Sequence, residues 1–302
     1  MAEFSFSTSP APLHAPAVQA LDAIEIRRAV ESALAEDIGS GDVTTLATVP
    51  ASAEVCAVLC AREPMMVCGL AFAEAAFRAR SRSVRFRRLA RDGTRVKAGT
   101  SLLRVAGSAR AILSAERVAL NFVQRLSGVA TVTSQFAAEV NGTRARILDT
   151  RKTTPGWRRF EKYAVACGGG HNHRFGLFDM VLIKDNHLAA LRGAKPNAIA
   201  AAVGRARAKF PRLKVEVEAD TLKQVEQAVT ADADIILLDN MTTAQLQRAV
   251  RLVAGRAKTE ASGGVNLKTV RTIARTGVDF ISVGALTHSA RAVDIGLDFA
   301  DK

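Results

Sequence analysis

The chain has 302 residues, 48% hydrophobic and 24% charged, which is room for one large or two modest domains and ordinary for a globular protein that can bury a core. Aromatic residues make up only 5%, which weakens any reading that needs base-stacking platforms for single-stranded nucleic acid. The net charge of +13 favours anionic partners and is concentrated: from Arg78 to Lys97 nine basic residues stand against one acid, Asp92.

Residues 1–20, rich in Ala, Pro and Ser and lacking the basic start and apolar core of a secretory signal, are expected to form a mobile arm. Leu21–Ile38 reads as an amphipathic helix with Ile24, Val30, Leu34 and Ile38 along one side, stopped by Gly39. Gly39–Thr45 reads as turn chemistry. Short strands are predicted at Val55–Leu59 and Met65–Val67, and a helix at Leu70–Ala79. Alternation around Phe86 puts Arg85 and Arg87 on a wet strand face, and Gly93 and Gly99 punctuate an antiparallel hairpin region that ends near Val105. That basic face is either a solvated strand or a patch that attracts anions. From Ala111 to about Val140 the apolar spacing is helical, with a polar stripe of Arg117, Asn121 and Gln124 on another face.

The rhythm then changes. Apolar runs at Arg146–Asp149, Met180–Lys184, Leu213–Glu218, Ile235–Asp239, Thr259–Ser262 and Phe280–Val283 alternate with amphipathic helices such as Ala198–Phe210, Leu222–Val229, Ala244–Val253 and Leu267–Ala274. Strand–helix alternation predicts an α/β fold with a parallel sheet. Polar residues end nearly every run, which favours an incomplete (β/α) barrel over an open doubly wound sheet with a single switch point. The four cysteines, Cys56, Cys60, Cys68 and Cys167, form no CxxC pair and predict a reducing, cytoplasmic setting. No apolar run is long enough to span a membrane, so no membrane partner is expected.

The strand ends carry the chemistry. The first gives Arg151 and Lys152, and the second Lys184, Asp185, Asn186 and His187. The third gives Glu216 and Glu218 on one face, and the fourth Asp239 and Asn240. The last two give Ser262-Gly263-Gly264 and Ser282 with Gly284, whose N–H groups are expected near helix starts, where barrels commonly hold a phosphate. Glu218 and Asp239 beside such a pocket suit Mg²⁺. Gly168–Gly170 lead to His171, His173 and Arg174. Two histidines at i and i+2 without a third ligand are a weak zinc signal. Arg151, Lys152, His173, Arg174 and Lys184 are too many cations for one phosphate and imply a second anion, a carboxylate gripped by arginine. A Schiff-base aldolase using Lys184 or Lys152 and a nucleic-acid-binding protein are the alternatives.

Eight stretches in order resemble one family: EDIGSGDVTT (from Glu36), SAERVALN (Ser114), DTRKTTPGWR (Asp149), GGGHNHRFGLFDMVLIKDNH (Gly168), VEVEAD (Val215), ILLDNM (Ile236), EASGGVN (Glu260) and ISVGALTHSA (Ile281). The chain is similar to quinolinate phosphoribosyltransferase, the decarboxylating enzyme of NAD biosynthesis. The resemblance implies an α+β sandwich over residues 21–125, a barrel over 126–287, and a segment 288–302 returning to the sandwich. It implies quinolinate and phosphoribosyl pyrophosphate as substrates, Mg²⁺ as cofactor, and nicotinate mononucleotide, pyrophosphate and CO₂ as products. A related pyridine phosphoribosyltransferase is the nearest alternative. By the same resemblance Arg117, Arg151, Lys152, His173, Arg174 and Lys184 face quinolinate. Lys152, Glu218, Asp239, Ser262, Gly263, Gly284 and His288 face the phosphoribosyl donor. The catalytic set is Lys152, Lys184, Glu218 and Asp239, with Glu218 and Asp239 as metal ligands. Arg117 comes from a neighbouring subunit of a homodimer or a higher oligomer built on it, with no nucleic-acid partner.

Overall fold

The structure, a computed structural model, describes residues 20–300; the arm expected over residues 1–20 lies almost wholly outside them. Helix α1 (Ala23–Ile38) starts at Asp22, whose carboxylate accepts from the Ile24 N–H at 2.8 Å, and stops at Gly39. It buries Ile26, Val30 and Leu34; Ile24, expected on that face, is 53% exposed because the i, i+4, i+8 series runs from Ile26. Asp42 caps a second short helix, α2 (Val43–Thr48), where a plain turn was expected.

The first layer continues with β1 (Glu54–Ala61), β2 (Met65–Met66), α3 (Leu70–Arg80), β3 (Arg85–Arg88), β4 (Arg95–Val96) and β5 (Ser101–Ser108). β3 pairs antiparallel with β5 in the expected hairpin region, whereas β4 turns away to pair with β2. The last strand of the chain, β12 (Ile295–Phe299), pairs antiparallel with β1, giving a four-stranded sheet of order β12-β1-β5-β3. Helix α4 (Ala109–Glu139) is the spine: at 31 residues it is about 46 Å long. It packs on α3 and then runs on against the second layer, passing unbroken through residues 125 and 126. Within its polar stripe, Gln124 Nε2 donates to the Ile295 carbonyl at 2.8 Å and so ties β12 to the spine.

The second layer holds β6 (Arg146–Leu148), α5 (Arg158–Cys167), β7 (Val181–Ile183), α6 (Asp185–Ala189), α7 (Ala198–Lys209), β8 (Val215–Ala219), α8 (Leu222–Thr230), β9 (Ile235–Asp239), α9 (Thr243–Val253), β10 (Lys258–Ser262), α10 (Val270–Ala274), β11 (Phe280–Ser282) and α11 (Ala285–His288). Its six strands form one parallel sheet of order β6-β11-β10-β9-β8-β7. Among the described residues no ladder joins β6 to β7, so the barrel is open along that seam. The backbone of His171 bridges to β6 there: its N–H donates to Ile147 O at 2.8 Å and its carbonyl accepts from the Asp149 N–H at 3.0 Å. No helix among the described residues is long and apolar enough to cross a membrane.

Candidate active site

Alternate residues of a strand point to opposite faces. Val215, Val217, Ala219, Ile236, Leu238, Ala261 and Ile281 are buried on one face of the parallel sheet. The other face presents Leu182, Lys184, Glu218, Leu237, Asp239, Glu260, Ser262 and Ser282 to a cavity of about 410 Å³, which Thr150, Arg151, Lys152, His173 and Arg174 complete. The structure therefore brings together nine of the residues expected from sequence, Arg151, Lys152, His173, Arg174, Lys184, Glu218, Asp239, Ser262 and Ser282, and adds Glu260 and Thr150.

One half of the cavity is cationic. Arg151 is half-buried, and its Nε has no hydrogen-bond partner among the described residues. Burial and the neighbouring Arg151 guanidinium push the Arg174 guanidinium below its ordinary range. Two adjacent guanidiniums, one with an orphaned donor, form a site that is complete only with an anion between them. Lys184 Nζ meets Glu218 Oε2 at 2.7 Å, and Lys152 stands exposed at the rim. Neither lysine lies in the desolvated apolar pocket that a Schiff-base lysine needs.

His173 differs from expectation. Its Nδ1 accepts the Arg174 N–H at 2.8 Å, and its Nε2 lies 3.0 Å from Glu216 Oε2 and 3.6 Å from Glu260 Oε2. Both ring nitrogens are committed inside the protein, so the ring fixes the cavity wall rather than pointing a nitrogen at a ligand. Burial pulls its pKa down, but the bond to Glu216 and the Glu260 carboxyl together carry it above the ordinary histidine value. The zinc pairing of His171 with His173 is not formed: His173 clusters with the two glutamates, their ligand atoms within 4.8 Å of one another.

Glu216 and Glu260 are fully buried, and none of their oxygens has a well-aligned hydrogen-bond partner among the described residues, although the His173 ring lies beside both. Burial, and then the Glu216 carboxylate beside it, push Glu260 up to about 8. Its folded pKa thus exceeds the unfolded value of 4.5, so the folded protein retains a proton that the unfolded chain releases. The resulting stabilisation is complete below pH 4.5 and declines as pH rises toward 8. Thermal unfolding between pH 5 and 8 should therefore show Tm falling more steeply in the wild type than in Glu260→Gln; parallel slopes would contradict this protonation state.

The other half of the cavity is acidic and glycine-rich. Glu218 and Asp239 end adjacent parallel strands, and Asp239 stands level with Ser262 on β10. Asn240 donates to Asp239 Oδ2 at 2.6 Å. Gly263 has φ +94°, and a Cβ there would sit 2.1 Å from Asn240 Oδ1, so only glycine fits beside that amide. Contrary to expectation, Gly263 and Gly264 are not at a helix start: α10 begins only at Val270, because Asn266 first makes a turn with Thr269. Gly284 is the residue before the four-residue α11. A Cβ on it would lie 3.1 Å from Lys152 Cδ and 3.2 Å from the ring of His288, which brings these three together at one corner. His288 is exposed, its Nδ1 2.6 Å from Ser289 Oγ. Glu218 and Asp239 are half-buried carboxylates open to the cavity, the donor set Mg²⁺ takes together with waters and phosphate oxygens, so they fit that ion.

Arg117 lies outside this cavity, exposed on α4. Its turn of helix adjoins α2, where Ser114 Oγ donates to Asp42 Oδ2 at 2.8 Å and where Val43 and Leu46 are 75% and 56% exposed.

Residues 42–127 match the N-terminal domain of quinolinate phosphoribosyl transferase, and residues 129–298 match its C-terminal domain. The chain is 45% identical over 280 residues to nicotinate-nucleotide pyrophosphorylase (carboxylating) of Mycobacterium leprae (strain TN), covering 90% of this chain and 96% of that protein. It is 43% identical over 289 residues to the chloroplastic protein of that name from Arabidopsis thaliana, covering 90% of this chain and 82% of the relative. The structure of the nicotinate-nucleotide pyrophosphorylase from Francisella tularensis superposes with a TM-score of 0.88 at 39% identity, covering 94% of this chain and 99% of that one. With both domains matched in order and the paired-guanidinium cavity where the barrel strands end, the chain belongs to the quinolinate phosphoribosyltransferase family.

Proposed function

We propose that the protein transfers a phosphoribosyl group from phosphoribosyl pyrophosphate to quinolinate and releases CO₂, giving nicotinate mononucleotide. The observation that carries this reading is the juxtaposition of Arg151 and Arg174, with an orphaned Arg151 Nε, across one cavity from Glu218 and Asp239. A dicarboxylate suits the first pair. A ribose with its phosphates suits the second pair together with Ser262, Gly263 and Gly284. Arg151 and Arg174 hold and orient the quinolinate carboxylates so that the ring nitrogen faces C1 of the ribose. As the C1–pyrophosphate bond breaks, its electron pair leaves with pyrophosphate, and Lys152 and Lys184 stabilise the charge that develops there. Glu218 and Asp239 stabilise the positive ribose. Mg²⁺, held by these two carboxylates with water and phosphate oxygens, would neutralise the phosphates of the donor. The nitrogen lone pair then forms the C1–N bond. The resulting pyridinium accepts the electron pair of the C2–carboxylate bond, CO₂ departs and C2 takes up a proton.

Assay with phosphoribosyl pyrophosphate and either quinolinate or nicotinate tests the reading: turnover with quinolinate, and CO₂ stoichiometric with pyrophosphate, is expected. Turnover of nicotinate alone would reassign the substrate.

The working form is a homodimer in which Arg117 reaches the partner's cavity. Its support is an exposed guanidinium beside the exposed apolar Val43 and Leu46. A mixture of Arg117→Ala and Lys152→Ala subunits should recover activity neither has alone, since each mixed dimer keeps one intact site. No recovery in confirmed mixed dimers would remove Arg117 from the site. Four free cysteines suit a reducing compartment such as the cytoplasm.

A further inference from the structure

Helix α5 carries adjacent, oppositely charged side chains, Glu161 and Lys162, and both are buried. Neighbouring helical positions point about 100° apart, so the two do not pair with each other but leave the helix in different directions.

Lys162 Nζ donates to Asp149 Oδ1 at 2.6 Å and to the His173 carbonyl at 2.9 Å. Asp149 Oδ1 also accepts the His173 N–H at 2.8 Å. With its amide turned to donate, Asn172 Nδ2 reaches Asp149 Oδ2 at 2.8 Å. One ion pair thus fastens the segment carrying His173 and Arg174 to the end of β6, in the open seam of the sheet.

Glu161 works on the other side. Its Oε1 accepts from Arg125 Nη2 at 2.6 Å and from Thr154 Oγ1 at 2.9 Å, and its Oε2 accepts the Thr154 N–H at 3.0 Å. Arg125 also donates to the Thr287 and Ala290 carbonyls, each at 2.5 Å. Thr287 Oγ1 in turn donates to the Lys152 carbonyl at 2.7 Å. This chain fastens the loop after β6 to the turn that holds Gly284 and His288.

Neither side chain lines the cavity, and well-packed apolar residues would avoid the desolvation that two buried charges bring. Their connections, rather than their own stability, distinguish them. We propose that Glu161 and Lys162 are positioning residues, one for each half of the site. Lys162 holds the segment through His173 and so sets Arg174 for quinolinate, and Glu161, through Arg125 and Thr287, sets Lys152 and Gly284 for phosphoribosyl pyrophosphate. The inference rests on the two-substrate reading above.

The test is a double dissociation of Michaelis constants, with two variants per arm so that one unstable protein does not decide it. Lys162→Met and the milder Asn172→Ala should raise KM for quinolinate about 10- to 100-fold and leave KM for phosphoribosyl pyrophosphate nearly unchanged. Glu161→Gln and the near-isosteric Thr287→Val should do the reverse. A merely structural role moves both constants together, or lowers only the fraction of active protein. Either result in folded variants, or no change in either constant, overturns the inference. Absence of quinolinate turnover in the wild type sinks the two-substrate reading, and the inference with it, before any variant is made.

Discussion

Lys152→Ala is expected to lower kcat about 10²- to 10³-fold, a loss of roughly 3–4 kcal/mol of transition-state stabilisation, with a smaller change in KM. The expectation follows from where the ammonium stands. Lys152 leaves the end of β6 with its carbonyl held by Thr287, and its stem passes the bare backbone of Gly284. That places the Lys152 side chain at the corner proposed for the phosphoribosyl donor, where negative charge grows on the leaving group. A charge aimed at the transition state affects kcat more than ground-state binding. Lys258→Ala is the matched control, because Lys258 pairs with Asp279 at the opposite end of β10 and is exposed. Steady-state kinetics on both variants decide the matter. A loss under about tenfold in Lys152→Ala, or an equal loss in Lys258→Ala, would remove Lys152 from this role.

Much of this site could be read from the sequence because parallel strands end where chemistry begins. Asp239 and Lys184 each follow an unmistakable apolar run, and alternation alone puts Glu216 and Glu218 on one face. What stayed hidden was helix α5. Its sequence, RRFEKYAVAC, places Glu161 and Lys162 where an amphipathic pattern would ask for apolar residues, and both turn out to be buried through tertiary partners distant in sequence. No periodicity announces a buried ion pair. The partner of Lys162 is Asp149, thirteen residues earlier, and that of Glu161 is Arg125, thirty-six residues earlier. Glu260 was hidden for a similar reason: only burial in the fold, with Glu216 beside it, keeps it protonated, against the pull of His173. Gly168 shows the reverse case. From sequence it suits either a close backbone approach to a ligand or a plain flexible loop, yet a Cβ there would sit 2.4 Å from the Ala130 carbonyl on α4, so the close approach is to the spine.

The ion pair under the seam should also be the most sensitive point for stability. Lys162→Met removes the cation and leaves Asp149, which is fully buried. Losing one partner of a buried pair costs about 3–5 kcal/mol, a large part of a domain's total stability. The cost should depend on pH in a definite direction. Burial already holds Asp149 up at about 6 against the pull of Lys162 and the His173 N–H. Without the lysine its folded pKa rises further above the unfolded value of 3.8, so the variant folds with a neutral carboxyl over a wider range. A raised carboxyl pKa contributes stability at low pH that is lost as pH rises through it. The deficit of Lys162→Met relative to wild type is therefore smallest near pH 5 and largest near pH 8. Adding Asp149→Asn removes the titrating group while keeping an acceptor for the His173 N–H, and should recover most of the loss at pH 8. Urea unfolding of the wild type, the single variant and the double variant at both pH values measures all of this. A deficit that is independent of pH, or a double variant no more stable than the single one at pH 8, would mean that the pair does not carry the charge balance of the seam.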